Sequence, residues 1–96
     1  MSLFDIFKGK KIILSPNENR EMLQTHGRIT DGLIIDAETN EAGEQIVFYT
    51  YNIQGVDFES SEILTGEQVL DSLRFAPGAK VGIRFDPKNH GNSTLA

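Results

Sequence analysis

Cysteine is absent from the chain, and histidine occurs only at positions 26 and 90. Without thiols, neither a disulfide framework nor a thiolate metal site supplies stability, so the fold must rest on apolar burial and backbone hydrogen bonds. Long apolar runs are missing as well. Stretches such as Leu33 to Ile35 fall far short of the roughly 20 residues that cross a bilayer. Positive charge is in the minority, with 9 Lys and Arg against 14 Asp and Glu and a formal net charge of −5. Such a field repels phosphate backbones and anionic surfaces, so nucleic acid is not an expected partner.

What is present suits one domain. A chain of 96 residues buries one modest core but does not build a catalytic cleft between two lobes. Its opening places Lys8, Lys10 and Lys11 after a short apolar patch that contains Asp5. That is the reverse order of a secretion signal, and a cytoplasmic location is expected. Leu3, Phe4, Ile6 and Phe7 would share much of one face of a short helix, the outline of a membrane foot. So brief a helix is marginal alone, and the patch is expected to dock on its own domain instead.

Ser15, Pro16 and Glu18 have the form of a capping box, which predicts a helix to about Thr25. It should end at His26-Gly27, with the glycine in a left-handed conformation. Ile29, Leu33 and Ile35 recur with period two in a strand from Arg28 to Ala37, and Gly32 suggests a bulge or tight bend. The polar stretch from Glu38 to Glu44 predicts a mobile loop.

A second strand then runs from Gln45 to Ile53. A two-residue turn at Gln54-Gly55 sets Ile53 opposite Val56, Tyr51 opposite Phe58 and Tyr49 opposite Ser60, which collects the apolar side chains on one surface. The same register sets Ile46 opposite Ile63, with Phe48 beside them, on the otherwise polar surface. An uncovered patch of that kind marks an interaction site. The amino-terminal helix, the inserted helix or a second copy of the protein is expected to cover it.

Thr65 and Gln68 resemble another helix start, and Val69, Leu70 and Leu73 follow at the spacing of a short amphipathic helix. Ala79, Val81, Ile83 and Phe85 alternate with polar or small residues, predicting a strand with one buried face. Asp86-Pro87-Lys88-Asn89 reads as a type I turn leading to an edge strand at about Ser93 to Leu95.

Four motifs together resemble an uncharacterised family of small bacterial β-barrel domains often found next to membrane helices. They are Gly27-Arg28-Ile29, Tyr49-Thr50-Tyr51 with its turn at Gly55, Gly78-Ala79-Lys80-Val81, and Arg84 to Asn89. The resemblance spans residues 27–95 and implies a barrel, with no activity to carry over. The chain departs from the pattern at His90, in the helical insertion near Glu67 to Phe75, and in lacking flanking spans.

The sequence offers little chemistry. His26 at a helix terminus and His90 after a turn are expected to be structural or solvated. Asp36, Glu38, Asn40 and Glu44 alternate like a calcium loop, but Glu41 stands where glycine is needed and Val47 where a bidentate glutamate is needed. No catalytic, cofactor-binding or metal-ligating residue is assigned, and no enzyme is expected.

The expected architecture is mainly β: a small five-stranded barrel of the SH3 or OB kind with an amino-terminal helix and a short inserted helix. Residues 1–25 form the helical segment packed on the barrel, and residues 26–96 form the barrel. The expected role is protein interaction or assembly through Ile46, Phe48 and Ile63, with a protein partner or a homodimer. The rival is a barrel that takes a small molecule, sugar or oligonucleotide at Tyr49, Tyr51 and Arg84. A weaker rival is membrane contact through Leu3, Phe4, Ile6 and Phe7.

Overall fold

The computed structural model describes residues 16–96. Helix α1 spans Pro16–His26 and is followed by strands β1 (Arg28–Thr39), β2 (Gln45–Ile53) and β3 (Val56–Ile63). Helix α2 (Gly66–Leu70) and a 3₁₀ turn (Ser72–Phe75) separate these from β4 (Lys80–Asp86) and β5 (Asn89–Leu95). The strands form one antiparallel sheet in the order β3-β2-β1-β4-β5. It curls into a nearly closed barrel whose end strands, β3 and β5, come together along a seam. This is the mainly β architecture that the alternating pattern predicts.

The hairpin forms in the predicted register, with Ile53 opposite Val56, Tyr51 opposite Phe58, Tyr49 opposite Ser60 and Ile46 opposite Ile63. Gln54 and Gly55 adopt φ of 53° and 87°, the pair of positive values a type I′ turn requires. Asn52 fixes the turn: its Oδ1 accepts from the Gly55 amide and its Nδ2 donates to Asp57. The interior holds Ile34, Val47, Tyr49, Tyr51, Ile53, Leu64, Phe75, Ile83, Phe85 and Leu95 in one cluster. Val56, although in register with Ile53, is exposed at the barrel end.

Several sequence expectations need correction. In β1 the side chains of Ile29, Leu33 and Ile35 are exposed, and it is Ile34 that is fully buried. The register slips between Ile34 and Asp36. The bulge therefore sits at Ile35, not Gly32, and a period-two reading of the strand crosses a phase change. Gly32 has another role: a Cβ there would lie 2.5 Å from Ile83 Cγ1 and 3.0 Å from the Thr50 carbonyl oxygen. The strand can approach its neighbours only without a side chain at that position.

Gly27 is not left-handed either. Its N–H donates to the Leu23 carbonyl at 2.8 Å, and a Cβ would come within 2.4 Å of that oxygen.

The stretch from Glu38 to Glu44 is a loop only from Asn40 onward. β1 runs on to Thr39, paired with Gln45. The tight turn that remains is organised by Asn40, whose Oδ1 accepts from the amides of Ala42 and Glu44, so one polar side chain supplies the order that composition hides.

The inserted helix is shorter than its apolar spacing suggests. Thr65 and Gln68 form the predicted capping box, but the helix breaks at Asp71, with φ −118° and ψ 58°. The 3₁₀ turn that follows rotates Phe75 into the core and leaves Leu70 and Leu73 89% and 85% exposed. Val69 alone of the predicted apolar face packs on the core. β5 starts at Asn89, earlier than the predicted edge strand.

Candidate interaction surface

Alternation assigns each barrel strand an inner and an outer face. Tyr49 and Tyr51 point inward and are buried. Their rings are tilted with centroids 6.0 Å apart, and Phe58 stacks on Tyr51 at 5.5 Å. The Tyr49 hydroxyl shares a 2.8 Å hydrogen bond with Ser93 Oγ, and the Tyr51 hydroxyl donates to the His90 carbonyl. Burial pushes the Tyr49 phenol above its ordinary pKa of 10.0.

Arg84 lies between the inward Ile83 and Phe85 and so faces out, its Nη1 3.4 Å from the Gly27 carbonyl. The predicted ligand surface of Tyr49, Tyr51 and Arg84 therefore does not come together: two of the three fill the interior and the third lies outside it.

The histidines are placed differently from each other. His26 is exposed at the end of α1. His90 meets the Phe58 and Phe85 rings edge-on at 6.2 and 5.3 Å, a packing role at the seam. Among the described residues, no group of three or more His, Asp or Glu could hold a metal ion. Asp36 and Glu38 lie on β1, and Asn40 and Glu44 belong to the tight turn.

The seam contains residues that the sequence reading missed. Glu62 is opposite Val47 and thus on the inward register. Its Oε1 accepts from the Thr94 hydroxyl and, at 3.2 Å, from the Leu95 amide. Its Oε2 accepts from Arg20 of α1 at 2.9 Å. Asn19 and Asn92 exchange two 2.9 Å bonds, and Gln24 donates to the Leu95 carbonyl. These contacts and the buried Leu23 hold α1 across the seam. The available signal was a carboxylate at a core-facing position of a well-defined hairpin.

On the outside, Ile46, Phe48 and Ile63 do come together. Ile46 pairs with Ile63, and Phe48 lies between Asp36 and Ser61 on the neighbouring strands. Ile63 is 44% exposed, whereas Ile46 and Phe48 are half-buried. Leu33 and Ile35 continue the strip on β1. Neither helix among the described residues covers it fully: α1 sits over the seam, and Leu70 and Leu73 stand in solvent.

Carboxylates border the strip. One shallow depression is lined by Ile35, Asp36, Glu38, Phe48 and Glu59, and the next by Asp31, Leu33, Asp57 and Lys80. At the other end Ile46, Ile63 and Leu64 line a third depression together with Asn17 and Arg20 of α1.

The predicted membrane foot at Leu3, Phe4, Ile6 and Phe7 lies outside the described residues. No helix among the described residues is long and apolar enough to cross a membrane. No family model matches the chain, and comparison with curated proteins and with solved structures gives no match.

Proposed function

We propose that the protein is a non-enzymatic interaction module that docks a protein partner on the outer face of β1, β2 and β3. The observation behind this reading is the outer apolar strip of exposed Leu33, Ile35 and Ile63 and half-buried Ile46 and Phe48, bordered by Asp36, Glu38 and Glu59. Apolar patches rimmed by polar residues are characteristic of docking surfaces. The filled barrel interior supports the same reading, because a ligand-binding barrel needs an open cavity. A cytoplasmic setting and kinship with the uncharacterised bacterial barrel modules belong to the proposal, on the opening residues and the four motifs.

The test uses the tagged full chain, its Phe48→Ser and Ile63→Ser variants, and Leu70→Ser as a surface control. A specific partner should co-purify with the wild type and the control and be lost from the two face variants. Light scattering during size exclusion separates a foreign partner from a second copy. Capture unchanged by Phe48→Ser and Ile63→Ser overturns the proposal.

A further inference from the structure

We infer that the partner's docking element is a cationic amphipathic α-helix laid diagonally across the outer face, with its apolar stripe on the strip and its lysines or arginines on the carboxylates at either side. This rests on the reading of the outer face as a docking surface and names the chemistry of its occupant.

The strand register draws the strip. Ile63 on β3 is opposite Ile46 on β2, Phe48 follows two residues on, and Thr50 beyond it is opposite Leu33 on β1. The apolar line thus starts on β3, crosses β2 and ends on β1 at Ile35 and Leu33. The same register places acids on the two corners that the line leaves out. On the β1 bank Glu38 is opposite Ile46 and Asp36 is opposite Phe48. On the β3 bank Glu59 is opposite Thr50 and Asp57 is opposite Asn52.

All four acids are exposed. The ion pairs among the described residues, Arg20 with Glu62 and Arg74 with Asp71, involve none of them. Lys80, opposite Leu33, is the one cation among the described residues that line the two depressions along these banks. An acidic or neutral partner would leave both banks uncompensated, so charge complementarity selects a basic one.

Shape selects a helix. From Ile63 to Leu33 the line crosses three neighbouring strands and advances from the level of Ile46 to that of Thr50. At about 4.8 Å between strands and 3.3 Å per residue, the diagonal is roughly 16 Å long. An α-helix covers that length in about 11 residues, or three turns. Residues on both sides of a helical apolar stripe can reach both banks at once. In an extended segment neighbouring side chains point to opposite faces, so cations next to apolar residues would turn away from the acids. Its backbone groups would also rest on side chains, with no sheet edge to pair with.

The probes are three end-blocked, dye-labelled, alanine-based peptides of about 15 residues, enough for three turns and their ends. The first carries a leucine stripe flanked by lysines, the second has glutamate in place of lysine, and the third scrambles the leucines and lysines of the first. Fluorescence anisotropy against the full chain should show the first binding about tenfold or more tighter than the other two. Asp36→Asn, Glu38→Gln, Asp57→Asn and Glu59→Gln combined should weaken that binding about tenfold, and Phe48→Ser should do the same. Leu70→Ser should leave it unchanged. The amides keep the acceptor oxygens that Asp36 offers the Ala37 amide and Asp57 offers Asn52, and matching urea midpoints verify that the combined variant is folded.

Equal affinity for the lysine and glutamate peptides, or for the striped and scrambled lysine peptides, overturns the inference. So does a homodimer in light scattering that Phe48→Ser dissociates, which assigns the face to a second copy. Partner capture that Phe48→Ser and Ile63→Ser abolish but the four amide substitutions leave intact removes the cationic helix and keeps the docking surface. Capture indifferent to Phe48→Ser and Ile63→Ser removes both.

Discussion

Glu62 and Thr94 join two strands that stand at opposite ends of the hydrogen-bonded sheet order. β3 and β5 run in the same direction at the seam, with Phe58 beside His90 and Glu62 beside Thr94 and Leu95. One carboxylate therefore ties a sheet end, an opposite sheet end and, through Arg20, the helix laid across them. Its side chain is 11% exposed and that of Arg20 31%, so the desolvation of the carboxylate offsets much of the ion pair's Coulombic gain. The larger effect is that the Leu95 amide and the buried Thr94 hydroxyl have an acceptor.

Glu62→Ala is accordingly expected to destabilise the fold by about 2–4 kcal/mol, through unsatisfied buried donors and loss of the Arg20 contact. Glu62→Gln keeps an acceptor oxygen and should cost only about 1 kcal/mol. Urea unfolding of the three proteins measures the difference. Equal losses in both variants would mean that charge, and not the acceptor geometry, holds the seam.

Gly32→Ala places a Cβ 2.5 Å from Ile83 Cγ1 and 3.0 Å from the Thr50 carbonyl oxygen. Ile83 is fully buried and has little room to move. Overpacking of this kind costs about 1–3 kcal/mol, read as a lowered urea midpoint. Gly32→Ala combined with Ile83→Ala should cost less than the sum of the two single changes, because the nearer clash, with Ile83 Cγ1, is then removed.

Leu70 and Leu73 are almost wholly exposed, whereas Phe75 is buried. Leu70→Ser and Leu73→Ser should each change stability by no more than about 0.5 kcal/mol, whereas Phe75→Ala should cost about 3–5 kcal/mol. Thermal unfolding of the three variants checks this. A large loss at Leu73 would mean that the predicted amphipathic helix forms after all.

The contrast between the hairpin and this insertion shows which parts of the fold are legible in the sequence. From Gln45 to Ile63 the turn at Gln54-Gly55 and the alternation of Tyr49, Tyr51 and Phe58 constrain the same register, so one error would have broken both patterns. The pairing of Ile46 with Ile63 and the apolar outer patch follow from that agreement. In β1 a bulge at Ile35 changes the phase, and nothing local marks it. Beyond Leu70 the helix becomes a 3₁₀ turn because Phe75 finds a place in the core, a tertiary preference that spacing does not encode. The seam of Glu62, Thr94 and Arg20 depends on which strands meet when the sheet closes, and their separation in sequence carries no signal of it.

Gln54 has φ of 53°, a left-handed conformation that a non-glycine residue adopts at some cost. Asparagine tolerates this region better and is preferred at the first position of a type I′ turn. Gln54→Asn should therefore raise stability by about 0.5–1 kcal/mol, visible as a higher thermal midpoint. The structure of the hairpin should not change, since Asn52 already fixes the turn through Gly55 and Asp57.

Tyr49 connects stability to alkaline pH. Its phenol is held above the ordinary value of 10.0, first by burial, with the nearby Glu62 charge acting in the same direction. Hydrogen bonds with Ser93 and Ser60 lower it, but less strongly. The folded protein thus keeps a proton that the unfolded chain releases near pH 10. The resulting stability is fully present below that pH and is lost as pH rises through the folded-state pKa. Stability measured from neutral to strongly alkaline pH should fall over that interval in the wild type. Tyr49→Phe loses the Ser93 bond, costing about 0.5–1.5 kcal/mol at neutral pH, but its stability should fall less steeply on the alkaline side. An unchanged alkaline slope in Tyr49→Phe would show that another group governs the loss.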